Sequence, residues 1–380
     1  MNTFKNILIT GGAGFIGSNL ALKFIKEGFS VTVLDNLSPQ IHGEKGTDSP
    51  LFKSIEGKVK FMHGSVTCKE DLLKSIENQN IIVHLAAETG TGQSMYEIQK
   101  YTDVNISGTA LLLDILTNEK HSVQKILIAS SRAIYGEGKY ICTEHGAVYP
   151  VSRSEKDMKT GDFNVKCPIC GKNAECVATS EDSKIHPTSV YGISKQVQEQ
   201  MTLLVGKSIG IPAVSLRYQN VYGPGQSLSN PYTGILSIFS TRIKNNNDII
   251  VFEDGTESRD FVYINDAVDA TFEAAVNENA DNEIFNVGTG VSVDVMTVAQ
   301  VLKEKYNSKI NIKVSGNFRL GDIRHNFADI SKIQKRLNFT PKTDFRTGIE
   351  KFTEWVESQE ILKDNYEESI QEMKAKGLYK

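Results

Sequence analysis

Short apolar runs alternate with amphipathic stretches along the first 220 residues. Residues 5–10 (KNILIT) have an apolar centre and break into GGAGFIG, Gly11–Gly17, after which ALKFIKEG carries apolar residues at helical spacing as far as Gly28. VTVLD forms a second run ending at Asp35, and VKFMHG a third over 59–64. A helix is predicted over 69–77, a strand over 81–87 (IIVHLAA), a long helical region over 94–118, and a fifth strand, KILIASS, ending at Ser130 and Ser131. Apolar runs of this length separated by helices predict an α/β fold built on a doubly wound parallel sheet. A further helix follows HPTSVYGISK, with Thr188 or Ser189 as its N-cap and Gly210 near its stop.

After IPAVSLRYQNVYGPGQ, read as strand and loop, the alternation gives way to a smaller lobe made of two pieces. The predicted organisation is a Rossmann-type domain from 1–136 and 186–218, an inserted segment over 137–185, and a substrate-binding lobe over 219–380 with parts returning to the sheet. Charged, helix-prone residues over 347–380 read as a solvated cover. No internal repeat is visible.

Composition narrows the functional classes. The 42 basic and 46 acidic residues are spread along the chain without a basic stripe, which argues against nucleic acid. No apolar run approaches the ~20 residues of a membrane span, and the N-terminus enters a strand directly, so a cytoplasmic protein is expected. Of five cysteines, four crowd into the inserted segment. In a reducing compartment that clustering points to metal before disulfide.

The chemistry begins at Gly11, Gly14 and Gly17, whose turn lets backbone approach a pyrophosphate at the start of the following helix. Asp35, about 20 residues on, can accept from adenosine ribose hydroxyls and repels a 2′-phosphate, favouring NAD over NADP. Tyr191 and Lys195 are four apart on one helix face, so the ammonium can stabilise a phenolate. His84, between apolar neighbours, reads as a satisfied core histidine. In the insert, Cys142-x-x-His145-Gly and Cys167-x-x-Cys170-Gly form two knuckles of a zinc-ribbon pattern, with Cys176 as an alternative to His145. Four protein ligands close the sphere, so a structural zinc is expected.

Taken in order, TGGAGFIG, Asp35, HLAA, Asn105 within VNxxGT, SSRAIYG and YxxxK resemble the extended short-chain dehydrogenase/reductase family of nucleotide-sugar enzymes. The likeness spans nearly the whole chain outside the insert, which separates Ser131 from Tyr191 by far more chain than relatives have. It implies NAD contacts at Gly11, Gly14, Phe15, Ile16, Gly17, Asp35, Asn36, Ser65, Val66, Leu85, Ala86, Ala87, Asn105, Tyr191 and Lys195. Relatives usually carry aspartate where Ser65 stands. The resemblance assigns catalysis to Ser131, Tyr191 and Lys195, and the nucleotide-diphosphate sugar to Ser131, Arg132, Asn220, Arg259, Arg319 and Asp322. Dehydratases of the family place an Asp-Glu pair soon after the serine. Here Arg132 and Ala133 stand there, so a 4-epimerase is implied, acting by transient oxidation and hydride return. SSRAIYG, the cysteine-bearing insert, GPGQSLSNPYTG and GDIRHNFADIS narrow the likeness to a group acting on a dTDP-linked 6-deoxysugar. Other nucleotide-sugar epimerases, a net oxidoreductase or decarboxylase, and a non-catalytic NAD-binding or zinc-ribbon module are the alternatives. Family helices around Asn105 and after Tyr191 form dimer interfaces, so a homodimer is expected.

Overall fold

The computed structural model describes residues 5–228, 230, 234–360 and 363–380. Ser229 and 231–233 of the GPGQSLSNPYTG stretch lie outside the described residues.

Seven strands form one parallel sheet: β1 (Asn6–Thr10), β2 (Ser30–Asp35), β3 (Lys60–His63), β4 (Ile81–His84), β5 (Lys125–Ser131), β6 (Ala213–Tyr218) and β7 (Ile284–Val287). Their order is β7-β6-β5-β4-β1-β2-β3. Register pairs Ile7 with Val31 on one side and with Ile81 on the other. Chain direction across the sheet reverses between β1 and β4, so their C-terminal ends flank the crevice where doubly wound sheets bind ligands. Apolar side chains leave both faces, because every central strand is covered on both sides. One core holds Ile7, Ile9, Val33, Leu127 and Phe285, and the other holds Leu8, Ile82, Leu112 and Ile126.

Helix α1 (Phe15–Lys26) starts from the glycine turn. A Cβ on Gly11 would stand 2.7 Å from Ala86 N, and one on Gly17 would stand 2.3 Å from Gly11 O, so both sites require glycine. The long helical region predicted over 94–118 is continuous from Ile98, but it changes winding along its length. Residues Thr102–Ser107 are π-helical, and the regular helix α2 runs only over Gly108–Asn118. Helix α3 (Val190–Ile209) packs on α2 and β5. Ser189 Oγ accepts from Gly192 N at 3.1 Å, and Gly210 closes the helix in the left-handed region at φ 74°. Ser189, and not Thr188, is therefore the cap, worth about 1 kcal/mol.

His84 lies in the core as its neighbours suggested. Its Nδ1 is 2.7 Å from Thr10 Oγ1 and its Nε2 3.0 Å from Thr109 Oγ1, and burial pushes its pKa down to about 3.

The smaller lobe is built on Ser258–Tyr263, which pairs with Asn220–Tyr222, Ser292–Asp294 and His325–Asn326. A separate pair joins Ile249–Val251 to Ile312–Val314. The insert carries its own three short strands, with Tyr140–Cys142 between Gly146–Val148 and Glu175–Cys176. The C-terminal residues are not simply a solvated cover. Phe345–Glu357 buries Ile349, Phe352 and Val356, and Tyr366–Ala375 buries Tyr366, Ile370 and Met373. Among the described residues no helix is long and apolar enough to cross a membrane.

Candidate active site

A cavity of about 630 Å³ opens at the C-terminal ends of β1, β4 and β5 and runs into the smaller lobe. Every predicted cofactor and substrate residue lines it except Asn105.

Asn105 is a correction. It is fully buried behind the wall, where its Oδ1 accepts from Glu88 N at 2.8 Å and its Nδ2 donates to Glu88 O and to Ser194 Oγ, at 3.1 and 2.9 Å. It therefore ties the loop after β4 to α3. It sits on the π-helical turn as the buried residue of that segment, a placement that sequence spacing does not reveal.

At the cofactor end, Asp35 Oδ2 accepts from Ala13 N at 3.0 Å and Oδ1 from Leu37 N at 2.9 Å. Each oxygen retains a lone pair, so the carboxylate can brace the glycine turn and still accept a ribose hydroxyl. Ser65 lines the same end, but its hydroxyl is 2.8 Å from Thr67 Oγ1. The open glycine turn, the start of α1 and Asp35 together fit a dinucleotide.

At the junction of the two lobes stand Ser131, Tyr191 and Lys195. Strand β5 places Ser131 at the C-terminal end of the sheet, with its Oγ accepting from Ala133 N at 3.1 Å. Helix α3 is fixed beneath by a buried ion pair, Glu199 Oε1 to Arg217 Nη2 at 2.6 Å. Lys195 Nζ donates to Ala129 O at 3.0 Å and lies 5.9 Å from the Tyr191 ring centroid. Burial lowers the lysine's pKa to about 7. Burial also raises the Tyr191 phenol, against the pull of its hydrogen bond with Ser131 and the charge of Arg132. The Arg132 charge and the Ser131 hydrogen bond both favour the phenolate, and the Lys195 amine stands beside the same ring.

Beyond the tyrosine, Arg132 Nε donates to Asn220 Oδ1 at 2.8 Å. Arg259 gives Nη1 to the carbonyls of Ser258 and Arg324, at 2.8 and 3.0 Å, and Nη2 to that of Ile323 at 2.7 Å. Its Nε–H and one Nη2 hydrogen remain for an anion. Asp322 Oδ2 takes hydrogens from Arg319 Nε and Nη2, both at 2.7 Å, so Asp322 chiefly orients Arg319. The cavity ends on Ile250, Phe252, Tyr366, Ile370 and Met373. That C-terminal wall was missed from the sequence, although Tyr366, Ile370 and Met373 recur at helical spacing. Glu257, buried on the same wall, was missed as well.

In the insert, Cys142, His145, Cys167 and Cys170 offer four ligand atoms within 4.8 Å of one another. Cys142 Sγ lies 3.6 Å from His145 Nδ1 and 3.7 Å from Cys170 Sγ, and Cys167 Sγ lies 3.7 Å from His145 Nδ1. Zinc bond lengths in a tetrahedron give edges of about 3.6 Å between S and N and about 3.8 Å between S and S, so the donor set fits the ion. Cys176 is outside the cluster, its thiol pushed up to about 12 by burial.

The parallel sheet, the glycine turn and the Ser-Tyr-Lys group define an enzyme of the NAD-dependent sugar-nucleotide epimerase class. The sequence pattern of the NAD dependent epimerase/dehydratase family matches residues 7–154 and 167–288, and the chain belongs to that family. It is 35% identical to a dTDP-L-rhamnose 4-epimerase of Burkholderia thailandensis, over 95% of this chain and 97% of the relative. It is 30% identical to a putative UDP-glucose 4-epimerase of Methanocaldococcus jannaschii, over 93% and 98%. Among solved structures, the UDP-glucose 4-epimerase of Thermotoga maritima with UDP-glucose superposes with a TM-score of 0.75 at 29% identity, covering 93% of this chain and 98% of that one. The UDP-glucuronic acid 4-epimerase of Bacillus cereus, with UDP-glucuronic acid and NAD, gives 0.75 at 25% identity, covering 93% and 99%.

Proposed function

We propose that the protein epimerises a nucleotide sugar at C4, and that the substrate is dTDP-L-rhamnose, converted to dTDP-6-deoxy-L-talose. The reaction type rests on one observation. Ser131 and Tyr191 meet at the lobe junction, while Arg132 and Ala133 fill the place where elimination would need acids. Bound NAD supplies a hydride acceptor that later returns the hydride. The Tyr191 oxygen takes the C4 hydroxyl proton, Ser131 orients that hydroxyl, and Arg132 and Lys195 favour the phenolate. Arg259, Arg319 and Asn220 hold the diphosphate while the oxidised sugar turns over. Tyr191 then gives the proton back. The choice of sugar is supported by the relative of 35% identity. A UDP-sugar is the second reading, supported by the Methanocaldococcus relative and the Thermotoga structure.

The test is incubation of the purified protein, without added cofactor, with dTDP-L-rhamnose, UDP-galactose or UDP-glucuronate, followed by NMR. A C4 epimer from dTDP-L-rhamnose is expected. An epimer only from a UDP-sugar selects the second reading, and none from any substrate defeats both.

Two further roles belong to this proposal. The Cys142–His145–Cys167–Cys170 cluster holds a structural zinc, a reading supported by its tetrahedral spacing. A cytoplasmic homodimer forms through α3 and the turn before α2, where Ile98, Ile193 and Leu204 are exposed.

A further inference from the structure

Residues 146–166 join the two knuckles of the insert, and the mechanism above leaves them without a task. The ends of this arm are held together, since Cys167 Sγ lies 3.7 Å from His145 Nδ1. Within it, Glu155–Lys159 is a short helix that buries Met158, and Phe163 follows at 5% exposure. Both side chains find their partners outside the insert. Met158 and Phe163 share an apolar cluster with Phe318 and Leu320 of the smaller lobe, and the Phe163 and Phe318 rings meet edge to face with centroids 6.4 Å apart. The Arg324 guanidinium lies 5.8 Å from the Phe163 ring centroid, and Arg153 Nη1 donates to the Phe163 carbonyl at 3.3 Å.

Phe318 and Leu320 stand on either side of Arg319, which bridges antiparallel to Tyr379. In extended chain, successive side chains leave on opposite faces. Seating Phe318 and Leu320 against the arm therefore turns Arg319 the other way, into the cavity, where Phe252 stacks 5.3 Å from its guanidinium. Phe163 and Met158 do not line the cavity themselves. The backbone here bonds along one edge, from Phe318 N to Lys380 O at 3.1 Å and from Leu320 N to Leu378 O at 2.9 Å, and the following Gly321 takes φ 86°. Edge bonds fix the course of the chain but leave it able to roll. The apolar seat on the arm removes that freedom, because close-packed side chains tolerate little displacement. A guanidinium that offers paired donors to phosphate oxygens depends on its direction.

We propose that Phe163, on the arm of the insert, is a positioning residue that holds Arg319 in the pose that receives the substrate's diphosphate. This inference rests on the nucleotide-sugar reading. It is tested by calorimetric binding of UDP and dTDP to the NAD-loaded protein and to its Phe163→Ala, Phe163→Leu, Arg319→Met and doubly substituted Phe163→Ala, Arg319→Met variants, with the NAD that each retains on dialysis as a second readout. Phe163→Ala is expected to bind both diphosphates about tenfold or more weakly, the size of one hydrogen bond to a charged group, while retaining NAD like wild type. Phe163→Leu, which refills most of the seat, is expected to recover most of that loss. In the Arg319→Met background the alanine is expected to cost nothing further, because a residue that acts through Arg319 has no effect once Arg319 is gone. An alanine variant that binds both diphosphates like wild type, or whose loss persists without Arg319, overturns the assignment while the nucleotide reading stands. Equal loss of NAD in Phe163→Ala and Phe163→Leu shows a merely structural ring and overturns it too. If wild type binds neither UDP nor dTDP, both fall together.

Discussion

Arg153 links the insert to the smaller lobe, and removing it provides a sharp test of what the insert does. Its side chain is 4% exposed. Nη1 and Nη2 grip the two oxygens of Glu253 at 2.6 and 2.7 Å, Nη2 also donates to Asp322 O at 3.0 Å, and Nε lies 3.4 Å from Glu137 Oε1. Arg153→Met keeps the length of the side chain but strips the partner from Glu253 Oε1 and leaves Glu137 without its nearest cation. Breaking a buried ion pair from one side costs ~3–5 kcal/mol. Arg324 Nη1 still holds Glu253 Oε2 at 2.7 Å, so the loss is expected near the lower figure, about 3 kcal/mol in urea unfolding. The backbone of Asp322 loses its tether at the same time, and Asp322 orients Arg319. Nucleotide-sugar affinity is therefore expected to fall, while NAD affinity, set by the glycine turn and Asp35 across the cavity, is expected to hold. Calorimetric titration with each ligand separates the two. Unchanged stability with unchanged sugar-nucleotide affinity refutes the reasoning, and an equal loss of NAD affinity shows general unfolding instead.

Other consequences are equally open to measurement. Tyr191→Phe is expected to abolish turnover while leaving NAD binding nearly intact, and substantial residual activity would remove the tyrosine from its role as base. Elemental analysis of freshly purified protein is expected to find zinc, and a chelator to lower the melting temperature. Absence of zinc, with Cys167→Ser and Cys170→Ser as stable as wild type, would sink the metal reading. The Glu257 carboxyl rises on folding from 4.5 to about 7, so the folded state takes up a proton between those values. Its burial costs little below pH 4.5, and the cost grows as pH climbs to 7. Glu257→Gln is accordingly expected to be more stable than wild type at pH 8, with the gap closing toward pH 5. A gap that ignores pH contradicts the buried-acid picture.

The chain's local chemistry was legible wherever a residue type has few alternatives. Glycine at 11 and 17 is forced by backbone contact, an acid at the end of β2 suits a ribose, and the Cys/His pairs beside Gly146 and Gly171 have the spacing of short chelate loops. Asn105 was misplaced because its motif and spacing are compatible with either face of the wall. Only its burial and its bonds to Glu88 and Ser194 show which way its amide points. The C-terminal segment was misread for a related reason. Its charge dominates the composition, while its few apolar residues make a wall only when another element stands opposite.

By itself, the sequence determined the alternating α/β architecture, the glycine turn, the family, and the candidate groups Ser131, Tyr191 and Lys195, because these depend on periodicity and on motifs within one strand-turn-helix unit. Tertiary structure alone decided that His145 and not Cys176 completes the cysteine cluster. It alone placed the Arg132 charge beside Tyr191, and it alone brought Arg153 to Glu253 across a hundred residues. Glu257, too, became visible only there, as a buried acid on the cavity wall. Each of those depends on burial and on distances between segments remote in the chain, and the strength of a charge or a hydrogen bond is set by that surrounding, not by the residue's letter.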